Sequence, residues 1–370
     1  MSKHIVIDAR IRPASTGRYV DRLLEHLQQI DSKNRYTVLL QPGDTWRPHA
    51  PNFSAKICTF KRFSFNPLDQ ITYARYLTKL QPDLVHFGMT PQEPMFYRGK
   101  RITTTHDLTM FNYTRPGKLP LWLHKVRMVG YRLLFSWSLK QAKAILVPTH
   151  FVKEDITRKY PHAKGKVTVT YEASEPALSG KAAKPAGIDR PFILHVGSPF
   201  PHKNIERLVG AFERLKERHP DLKLVLAGKK EQYFTKLEAS VKNTSPARDD
   251  IIFPGFVSDE ELKWLYQNAE TYVLPSVSEG FGLPGLEAMA HGCPVASSNT
   301  TCLPEVYGKA AHYFDPYNEE SIAATVDDIL TDTGLRKKLI QSGYAQLKKY
   351  SWRRMAEQTL AIYKQVLSDS

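Results

Sequence analysis

The stretch SEGFGLPGLEAMAHG, residues 278–292, combines an unusual backbone with two carboxylates. A core strand would not carry such closely spaced glycines, because each costs conformational entropy and packs no side chain. A helix excludes Pro284 from its interior but accepts it in the first turn. The preceding TYVLPS, residues 271–276, is typical of a buried strand. The sequence therefore predicts a strand, a tight loop over 278–283 and a helix that begins near Pro284.

The same loop predicts an anion site with a carboxylate on each side. A helix that starts after a glycine-rich loop presents free N–H groups and the positive end of its dipole, which suit a phosphate. Glu279 and Glu287 would flank this phosphate and accept hydrogen bonds from sugar hydroxyls before and after it. This pattern indicates a nucleotide sugar. The alternative is that Glu279 caps the helix and Glu287 faces solvent.

Length and composition indicate a globular chain of two domains. The 370 residues are 42% hydrophobic and 24% charged, as in ordinary globular proteins. Only three cysteines are present, too few and too scattered for a disulfide framework or a zinc site, so we expect a reducing compartment. The first residues lack the apolar run of a signal peptide, and no stretch reaches the roughly 18–20 apolar residues of a membrane span. A cytoplasmic location is expected.

Positive charge is concentrated in the N-terminal half. Residues 1–172 hold 28 Lys and Arg against 12 Asp and Glu, whereas residues 173–370 hold 24 against 25. This asymmetry predicts that the first half faces an anionic partner. A membrane surface, a phosphate-bearing lipid, an acidic glycan and nucleic acid all fit that description. No nucleic-acid-binding module is recognisable, so nucleic acid is not expected.

Short apolar strands alternate with helices along the whole chain, which predicts an α/β class with parallel, doubly wound sheets. Residues 1–173 form the first predicted domain, 174–190 a flexible linker and 191–351 the second domain. A last helix, about 352–370, can return to the first domain. Seven strands are predicted in the first domain: HIVIDA, RYTVLLQ, KICTF, DLVHFG, RITTTHD, AKAILVPT and KVTVTY. Five are predicted in the second, followed by a closing helical region: PFILHVGS, LKLVLAGK, IIFPGFV, TYVLPS and PVASSN.

Candidate ligands follow the predicted strands, where open α/β sheets bind their substrates. Lys203 stands just before a helix and predicts a phosphate ligand, or else a solvated lysine. His106 follows a strand and can bind a sugar hydroxyl or be a structural histidine. Gly17 permits close backbone approach or forms a simple turn. Ser198 is a weaker candidate, and the turn of Gly255, Phe256 and Val257 offers backbone groups to a nucleotide base.

Other patterns limit the chemistry. The chain has no Asp-x-Asp motif after a strand, no His/Cys cluster, no Walker loop and no G-x-S-x-G motif, so neither a metal nor any other cofactor is demanded. The stretch LPLWLHKVRMVGYRLLFSW, residues 119–137, interleaves tryptophans with basic residues. It predicts either an interfacial amphipathic element or a core helix with a basic solvent face.

Taken in order, these motifs resemble the family 4 glycosyltransferases, whose GT-B fold has two Rossmann-like domains facing across a cleft. The resemblance covers essentially the whole chain. EGFGLPGLE matches the family's paired glutamates, and the family's other landmarks follow the family order: THDLTMF, VGSPFPHKN, LVLAGK, GFVSDEELKWLY and CPVASSNTTCLPEV. THDLTMF, VTYEA and NTTCLPEV look most like bacterial mannosyltransferases of polysaccharide assembly.

The resemblance implies a retaining, metal-independent transfer of a sugar, best mannose from GDP-mannose, to a glycan or lipid-linked glycan held by the first domain. We expect the acceptor to attack on the face from which the diphosphate leaves, and the leaving phosphate to take the acceptor's proton. Related alternatives are a nucleotide-sugar epimerase and a non-catalytic protein that binds a glycan or an anionic surface. The implied roles are ribose binding by Glu287, sugar binding by Glu279 and His106, diphosphate binding by Lys203 and Gly17, and backbone contacts from Phe281, Gly282 and Leu283.

Ser198 departs from the family pattern. Many members carry an arginine at this position, so its positive charge has to come from elsewhere or be absent. The candidates for that charge are His202 and Arg18.

Overall fold

The computed structural model describes residues 2–14, 16–113, 120–175, 178 and 180–368. The chain forms two compact units. The first unit comprises Met1–Glu172 and Ser351–Ser370, and the second comprises Ala173–Tyr350. Each is an αβα unit around a parallel sheet, which confirms the predicted fold class.

A seven-stranded parallel sheet forms the centre of the first unit, in the order β3-β2-β1-β4-β5-β6-β7. Its strands are nearly continuous apolar runs because helices cover both faces. The strands are β1 His4–Asp8, β2 Arg35–Leu40, β3 Phe53–Ile57, β4 Leu84–Phe87, β5 Arg101–Thr104, β6 Ala144–Val147 and β7 Val167–Val169. The helices are α1 Gly17–Ile30, α2 Pro67–Lys79, α3 Thr109–Asn112, α4 Leu121–Gln141, α5 His150–Lys159 and, at the end of the chain, α13 Trp352–Ser368.

The second unit has a six-stranded parallel sheet in the order β10-β9-β8-β11-β12-β13. Its strands are β8 Phe192–Val196, β9 Lys223–Ala227, β10 Ile251–Gly255, β11 Thr271–Leu274, β12 Val295–Ser298 and β13 Ala311–Phe314. Its helices are α6 Ile205–Leu215, α7 Gln232–Thr244, α8 Asp259–Asn268, α9 Leu283–Ala290, α10 Leu303–Tyr307, α11 Glu319–Thr331 and α12 Thr333–Leu347.

Strand β13 corrects the prediction that the chain after PVASSN is helical. Its four residues, Ala311–Phe314, pair in parallel with Val295–Ser298 at the edge of the sheet. They include no β-branched residue, and two aromatic residues in a four-residue segment give only a weak strand signal. The strand forms because its backbone completes the sheet edge.

Strand β3 also differs from the predicted position at 56–60. It starts at Phe53, because Phe53 pairs with Tyr36 and the two rings stack at 4.2 Å between centroids. This cross-strand contact sets the register from the start of the strand.

The predicted linker contains no helix or strand among its described residues, and residues 176, 177 and 179 lie outside them. It is nevertheless fastened to the second unit. The Ala183 N–H donates to the Glu260 carbonyl, the Lys263 ammonium donates to the Gly180 carbonyl, and Ile188 is fully buried. Residues 180–190 are therefore anchored to the second unit by hydrogen bonds and burial, although their composition is that of a flexible linker.

Each sheet reverses its strand order once. The reversal lies between β1 and β4 in the first unit and between β8 and β11 in the second. In open parallel sheets the crevice at the carboxyl end of such a pair is where ligands bind. The loops after β8 and β11 carry Lys203 and Glu279.

Candidate active site

Lys203 is positioned by a tightly fastened loop. A single 3₁₀ turn, Pro201–Lys203, precedes α6, and Asn204 at the junction adopts a left-handed conformation with φ of 59°. The Asn204 amide donates to the carbonyls of Pro275 at 3.0 Å and Pro316 at 2.7 Å. The Val277 N–H donates to the His202 carbonyl at 2.8 Å. These bonds fix the loop after β8 against the loop after β11.

The fixed loops bring Lys203 and Glu279 together. The Lys203 Nζ lies 2.6 Å from Glu279 Oε1, and only 19% and 12% of the two side chains are exposed. Burial alone would raise the pKa of Glu279, but the charge and hydrogen bond of Lys203 outweigh it, so the pKa is lowered. Glu279 is therefore held as a carboxylate, and the pair presents one cation and one anion at the strand reversal of the second unit.

The loop between Glu279 and α9 is shaped by Tyr307. Gly282 has φ of +91°, and a Cβ there would lie 2.6 Å from the Tyr307 hydroxyl. At Gly285 a Cβ would lie 2.4 Å from the ring carbon that carries this hydroxyl, which itself donates to the Gly282 carbonyl. The glycines are thus required by packing within the loop. Helix α9 begins at Leu283, with Pro284 in its first turn.

Glu287 lies on α9, half-buried, one turn before the end of the helix. The Tyr266 hydroxyl on α8 donates to Glu287 Oε2 at 3.4 Å. Tyr266 also stacks on His291 at 5.3 Å between ring centroids. These neighbours support the carboxylate from one side. Like Glu279, Glu287 remains partly accessible.

The weaker candidates of the second unit lie in loops at the same edge of its sheet. Ser198 is half-buried and accepts a bond from the Phe200 N–H at its carbonyl. His202 is buried and stacks against Phe200. Gly255 ends β10 with φ of +80°, and the Phe256 side chain after it is 75% exposed. Half-buried Val257 follows, so this turn offers an exposed aromatic face as well as backbone groups.

His106 lies at the carboxyl end of β5 in the first unit and uses both ring nitrogens. Its Nδ1 is 3.3 Å from Glu172 Oε1, and its Nε2 is 3.1 Å from the Gly88 carbonyl. Burial would lower the pKa of His106, but the hydrogen bond and charge of Glu172 reverse this and raise it. With an acceptor beside each ring nitrogen, this geometry favours the doubly protonated imidazole. A sugar hydroxyl would therefore have to replace one of these partners.

Local packing requires a glycine at position 17. A Cβ at this first residue of α1 would lie 1.8 Å from the Arg12 carbonyl oxygen, and the Gly17 N–H donates to the Ala14 carbonyl. Any side chain here would break the turn that leads into α1. This packing explains the glycine whether or not a ligand lies beside it.

Sequence reasoning missed several residues that build these sites. Asn204 fastens Lys203, Tyr307 shapes the glycine loop, Thr301 accepts the Glu279 N–H through its hydroxyl at 3.3 Å, and Glu172 pairs with His106. Their partners in these bonds are 22 to 71 positions away in the sequence, so no local spacing reveals them. Of these residues, only Glu172 had a signal in the sequence. It stands in VTYEA, at the end of a predicted strand, as the other candidate residues do.

The second unit can thus bind an anion and hydroxyl groups at one place. Lys203 and the start of α9 supply positive potential, while Glu279 and Glu287 supply hydrogen-bond acceptors. Within the described ranges, no group of three or more His, Cys, Asp or Glu is arranged to hold a metal ion. Nor does any helix in those ranges combine the length and apolarity needed to cross a bilayer.

Comparison with known proteins identifies the family. Residues 16–173 match the "Glycosyltransferase Family 4" profile, and residues 181–346 match "Glycosyl transferases group 1". O-antigen chain mannosyltransferase B of Escherichia coli is 32% identical over 287 residues, 73% of this chain and 73% of the relative. O-antigen chain mannosyltransferase RfbU of Salmonella typhimurium is 30% identical over 227 residues, 61% and 60% of the two chains.

The fold agrees with this assignment. The structure of sucrose-phosphate synthase from Thermosynechococcus elongatus matches over 100% of both chains with a TM-score of 0.78, at 20% identity. The two Rossmann-like units are those of the GT-B class. The chain therefore belongs to the family 4 glycosyltransferases and is a glycosyltransferase.

Proposed function

We propose that this glycosyltransferase moves mannose from GDP-mannose to a glycan or lipid-linked glycan during polysaccharide assembly. The observation that carries the proposal is the Lys203–Glu279 pair, which places a cation for a diphosphate beside an acceptor for sugar hydroxyls. The sugar is suggested by two relatives that are named O-antigen chain mannosyltransferases.

In the proposed donor site, Lys203 and the first turn of α9 neutralise the diphosphate as it leaves. Phe281, Gly282 and Leu283 contribute backbone N–H groups, Glu279 holds hydroxyls of the sugar, and Glu287 holds the ribose. The turn of Gly255, Phe256 and Val257 receives the guanine, with the exposed Phe256 ring available for stacking. Ser198 lies beside the diphosphate without a charge of its own, so Lys203 bears more of the stabilisation than it would beside an arginine.

Retention of configuration fits the state of Glu279. A carboxylate that is ion-paired with Lys203 is a weaker nucleophile than a free one and a good hydroxyl acceptor. We therefore assign the reaction to same-face attack. The bond from the sugar carbon to the diphosphate oxygen breaks, the acceptor oxygen bonds to that carbon, and the leaving phosphate takes the acceptor's proton.

The proposed donor site needs no divalent metal. Lys203 and the helix N-terminus supply positive charge where a metal ion would otherwise stabilise the leaving diphosphate. Removal of divalent ions with EDTA is therefore expected to leave donor binding unchanged.

We propose that the first unit holds the acceptor and that its residues His106 and Gly17 take part in donor binding. Its excess of basic residues suits a lipid-diphosphate-linked glycan at the cytoplasmic face of an anionic membrane. His106, kept protonated by Glu172, would exchange its Gly88 partner for a sugar hydroxyl.

Product analysis without added acceptor tests this function. The enzyme is incubated with GDP-mannose and EDTA, and proton NMR follows the nucleotide and the anomeric signals of free sugar. A retaining transferase that uses water slowly as the acceptor releases GDP and α-mannose first. An epimerase produces a new nucleotide sugar without GDP release, and a non-catalytic protein leaves the donor intact. Release of β-mannose first would contradict retention.

A further inference from the structure

Helix α4 of the first unit is apolar on two opposite sides. Its inward side is buried, with Tyr131, Leu134, Phe135 and Leu139 recurring at helical spacing. The opposite side should be polar in an ordinary surface helix. Instead it carries a line of exposed apolar side chains at the same spacing: Trp122 at 68% exposure, Val126 at 61%, Val129 at 58% and Leu133 at 69%.

This apolar stripe, which we define as Trp122, Val126, Val129 and Leu133, continues onto a neighbouring loop. The Phe65 ring lies against Gly130 of α4, where a Cβ atom would come within 2.9 Å of the ring, and it is itself 49% exposed. Leu121 at the start of the helix is also exposed. Among the described residues, the apolar stripe is left exposed to solvent. From Trp122 to Leu133 it spans about 17 Å along the helix axis.

The surroundings of the apolar stripe are cationic. Helix α4 contains Lys125, Arg127, Arg132 and Lys140, all exposed, and no acidic residue. Exposed Lys61 and Arg62 precede the loop of Phe65. The whole first unit holds 31 Lys and Arg against 14 Asp and Glu, a net charge of +17.

The charge and the apolar side chains together indicate which partner can cover the apolar stripe. A second copy of the chain would bring two +17 units together across helices with no acidic residue, which repel one another. A bilayer of anionic lipids satisfies both parts of the surface. It receives a line of aliphatic side chains with a tryptophan at one end, and its headgroups attract the flanking lysines and arginines.

We propose that the apolar stripe of α4, together with Phe65, seats the first unit on an anionic bilayer surface, with the helix axis parallel to the membrane plane. The side chains of the stripe enter the boundary between headgroups and acyl chains, while Lys125, Arg127 and Arg132 remain at the headgroups. This deepens the membrane partner of the proposed function by naming the surface that touches lipid. It rests on the exposure of α4 and not on the identity of the donor.

Vesicle flotation with the full-length chain tests the proposal. Vesicles of phosphatidylcholine alone are compared with phosphatidylcholine mixed with phosphatidylglycerol. The expected result is flotation with the anionic vesicles, weakened by added salt, and at least about tenfold less binding to the neutral ones. Absence of binding to anionic vesicles would overturn the proposal and leave a protein partner as the occupant.

Two variants separate the apolar and the charged contributions. The triple change Val126→Ser, Val129→Ser and Leu133→Ser is expected to reduce anionic-vesicle binding by at least about tenfold. Lys125→Glu with Arg127→Glu should weaken binding to anionic vesicles only. Tyr344→Ser, which changes an exposed aromatic residue of the second unit, is the control and should bind like the wild type. Unchanged vesicle binding in the triple variant would overturn the proposal, even if binding is salt-sensitive.

Three further measurements distinguish membrane binding from self-association and from nucleotide binding. Light scattering without lipid reports self-association, and a wild-type dimer that the triple variant abolishes would identify a second copy as the occupant instead. Quenching of Trp122 by brominated acyl chains, lost in Trp122→Phe, places the stripe in the bilayer. Nucleotide calorimetry on the same preparations reports the donor site separately. Loss of nucleotide binding with intact flotation would contradict the proposed function but not the membrane surface.

Discussion

At the scale of single residues, the account depends on how Lys203 and Glu279 share charge. Both side chains are partly buried, and each carries the opposite charge of the other. Neither charge is therefore left uncompensated in the folded second unit. When a diphosphate arrives, it can take over the lysine, which leaves Glu279 to accept hydrogen bonds from the sugar. In this account Lys203 binds the diphosphate and Glu279 binds the sugar.

Removal of either member of the pair should impair turnover strongly. Lys203→Met removes charge stabilisation of the leaving diphosphate, and the rate of GDP release from GDP-mannose is expected to fall by about 10²–10³. Glu279→Gln should lower the rate to a similar extent because it loses a charged acceptor for the sugar. The exposed pair of Lys184 and Asp189 offers matched controls, Lys184→Met and Asp189→Asn, which should remain near wild-type activity. A Lys203→Met enzyme with normal turnover would remove this residue from the mechanism.

His106 should couple the stability of the first unit to pH. Burial lowers its pKa, but Glu172, helped by Asp107, raises it above the ordinary value of 6.5. The groups that face it also include His86, which burial and the charge of His106 hold neutral with a pKa of about 3, and the ring of Tyr19 at 5.1 Å. A raised pKa means that the folded state binds the proton more tightly than the unfolded state.

The resulting stabilisation is fully present below about pH 6.5 and is lost as the pH rises through the folded-state pKa of His106. Glu172→Gln should remove this pH-dependent part. Urea unfolding of the wild type and the variant should therefore differ most at low pH within the folded range, and the difference should narrow toward alkaline pH. A constant difference across the range would show that Glu172 does not act through His106.

At the scale of elements, the loop before α9 and the first turn of α9 depend on Gly282 and Gly285, which Tyr307 makes necessary. Gly285→Ala places a methyl group 2.4 Å from the Tyr307 ring, so we expect a loss of about 1–3 kcal/mol in unfolding free energy and weaker nucleotide binding. Gly334→Ala, in the first turn of α12 where a Cβ would be 3.1 Å from the Asp332 carboxylate, is the control and should be nearly neutral. Thermal unfolding and calorimetry measure both. Equal effects of the two substitutions would contradict the role of Tyr307.

The element scale also shows what the sequence can predict. Strand β11, the glycine loop and a helix start near Pro284 follow from local chemistry, because glycine and proline restrict the backbone wherever they occur. The last strand, β13, does not follow, because Ala311–Phe314 becomes a strand only by pairing with β12. The segment 180–190 before β8 has the composition of a flexible linker, yet its hydrogen bonds to α8 hold it in place.

At the scale of the whole molecule, the chain leaves the first unit after Glu172 and returns to it with α13. This last helix packs on α1. Its Tyr363 hydroxyl bonds to Nδ1 of His86 on β4 at 2.6 Å, and both side chains are fully buried. The first unit is thus completed by residues that follow the second unit in the sequence.

Tyr363→Phe tests this completion. Loss of the hydroxyl leaves a buried histidine nitrogen without a partner, which should lower the stability of the first unit by about 1–3 kcal/mol. Hydrogen exchange should increase in β1, β4 and α1, while the second unit remains protected. Tyr317→Phe, at an exposed residue of the second unit, is the control. Increased exchange spread evenly over both units would contradict the assignment of α13 to the first.

The sequence indicates candidate ligands where strands end, and their roles stay predictions; it does not show which residues from distant segments support them. Lys203 and Glu279 could be predicted because each follows a strand in its own segment. Their contact, and the parts of Asn204 and Tyr307 in it, could not be predicted because they join segments that only the folded second unit brings together. The glycine at position 17 could be noticed, but its reason, the Arg12 carbonyl, lies in the shape of a turn.

The central claim is that the second unit binds a guanosine-diphosphate sugar through its own side chains. It is tested most directly by calorimetry of GDP, GDP-mannose, UDP and ADP in the presence of EDTA, with wild-type enzyme, Glu287→Gln and the exposed-carboxylate control Glu320→Gln. The account predicts that GDP and GDP-mannose bind to the wild type and the control, and that Glu287→Gln weakens them roughly 10- to 100-fold through the loss of a charged hydrogen bond. Tighter binding of UDP would overturn the guanosine assignment. Binding that requires a divalent metal, or no binding of any nucleotide, would contradict the claim itself.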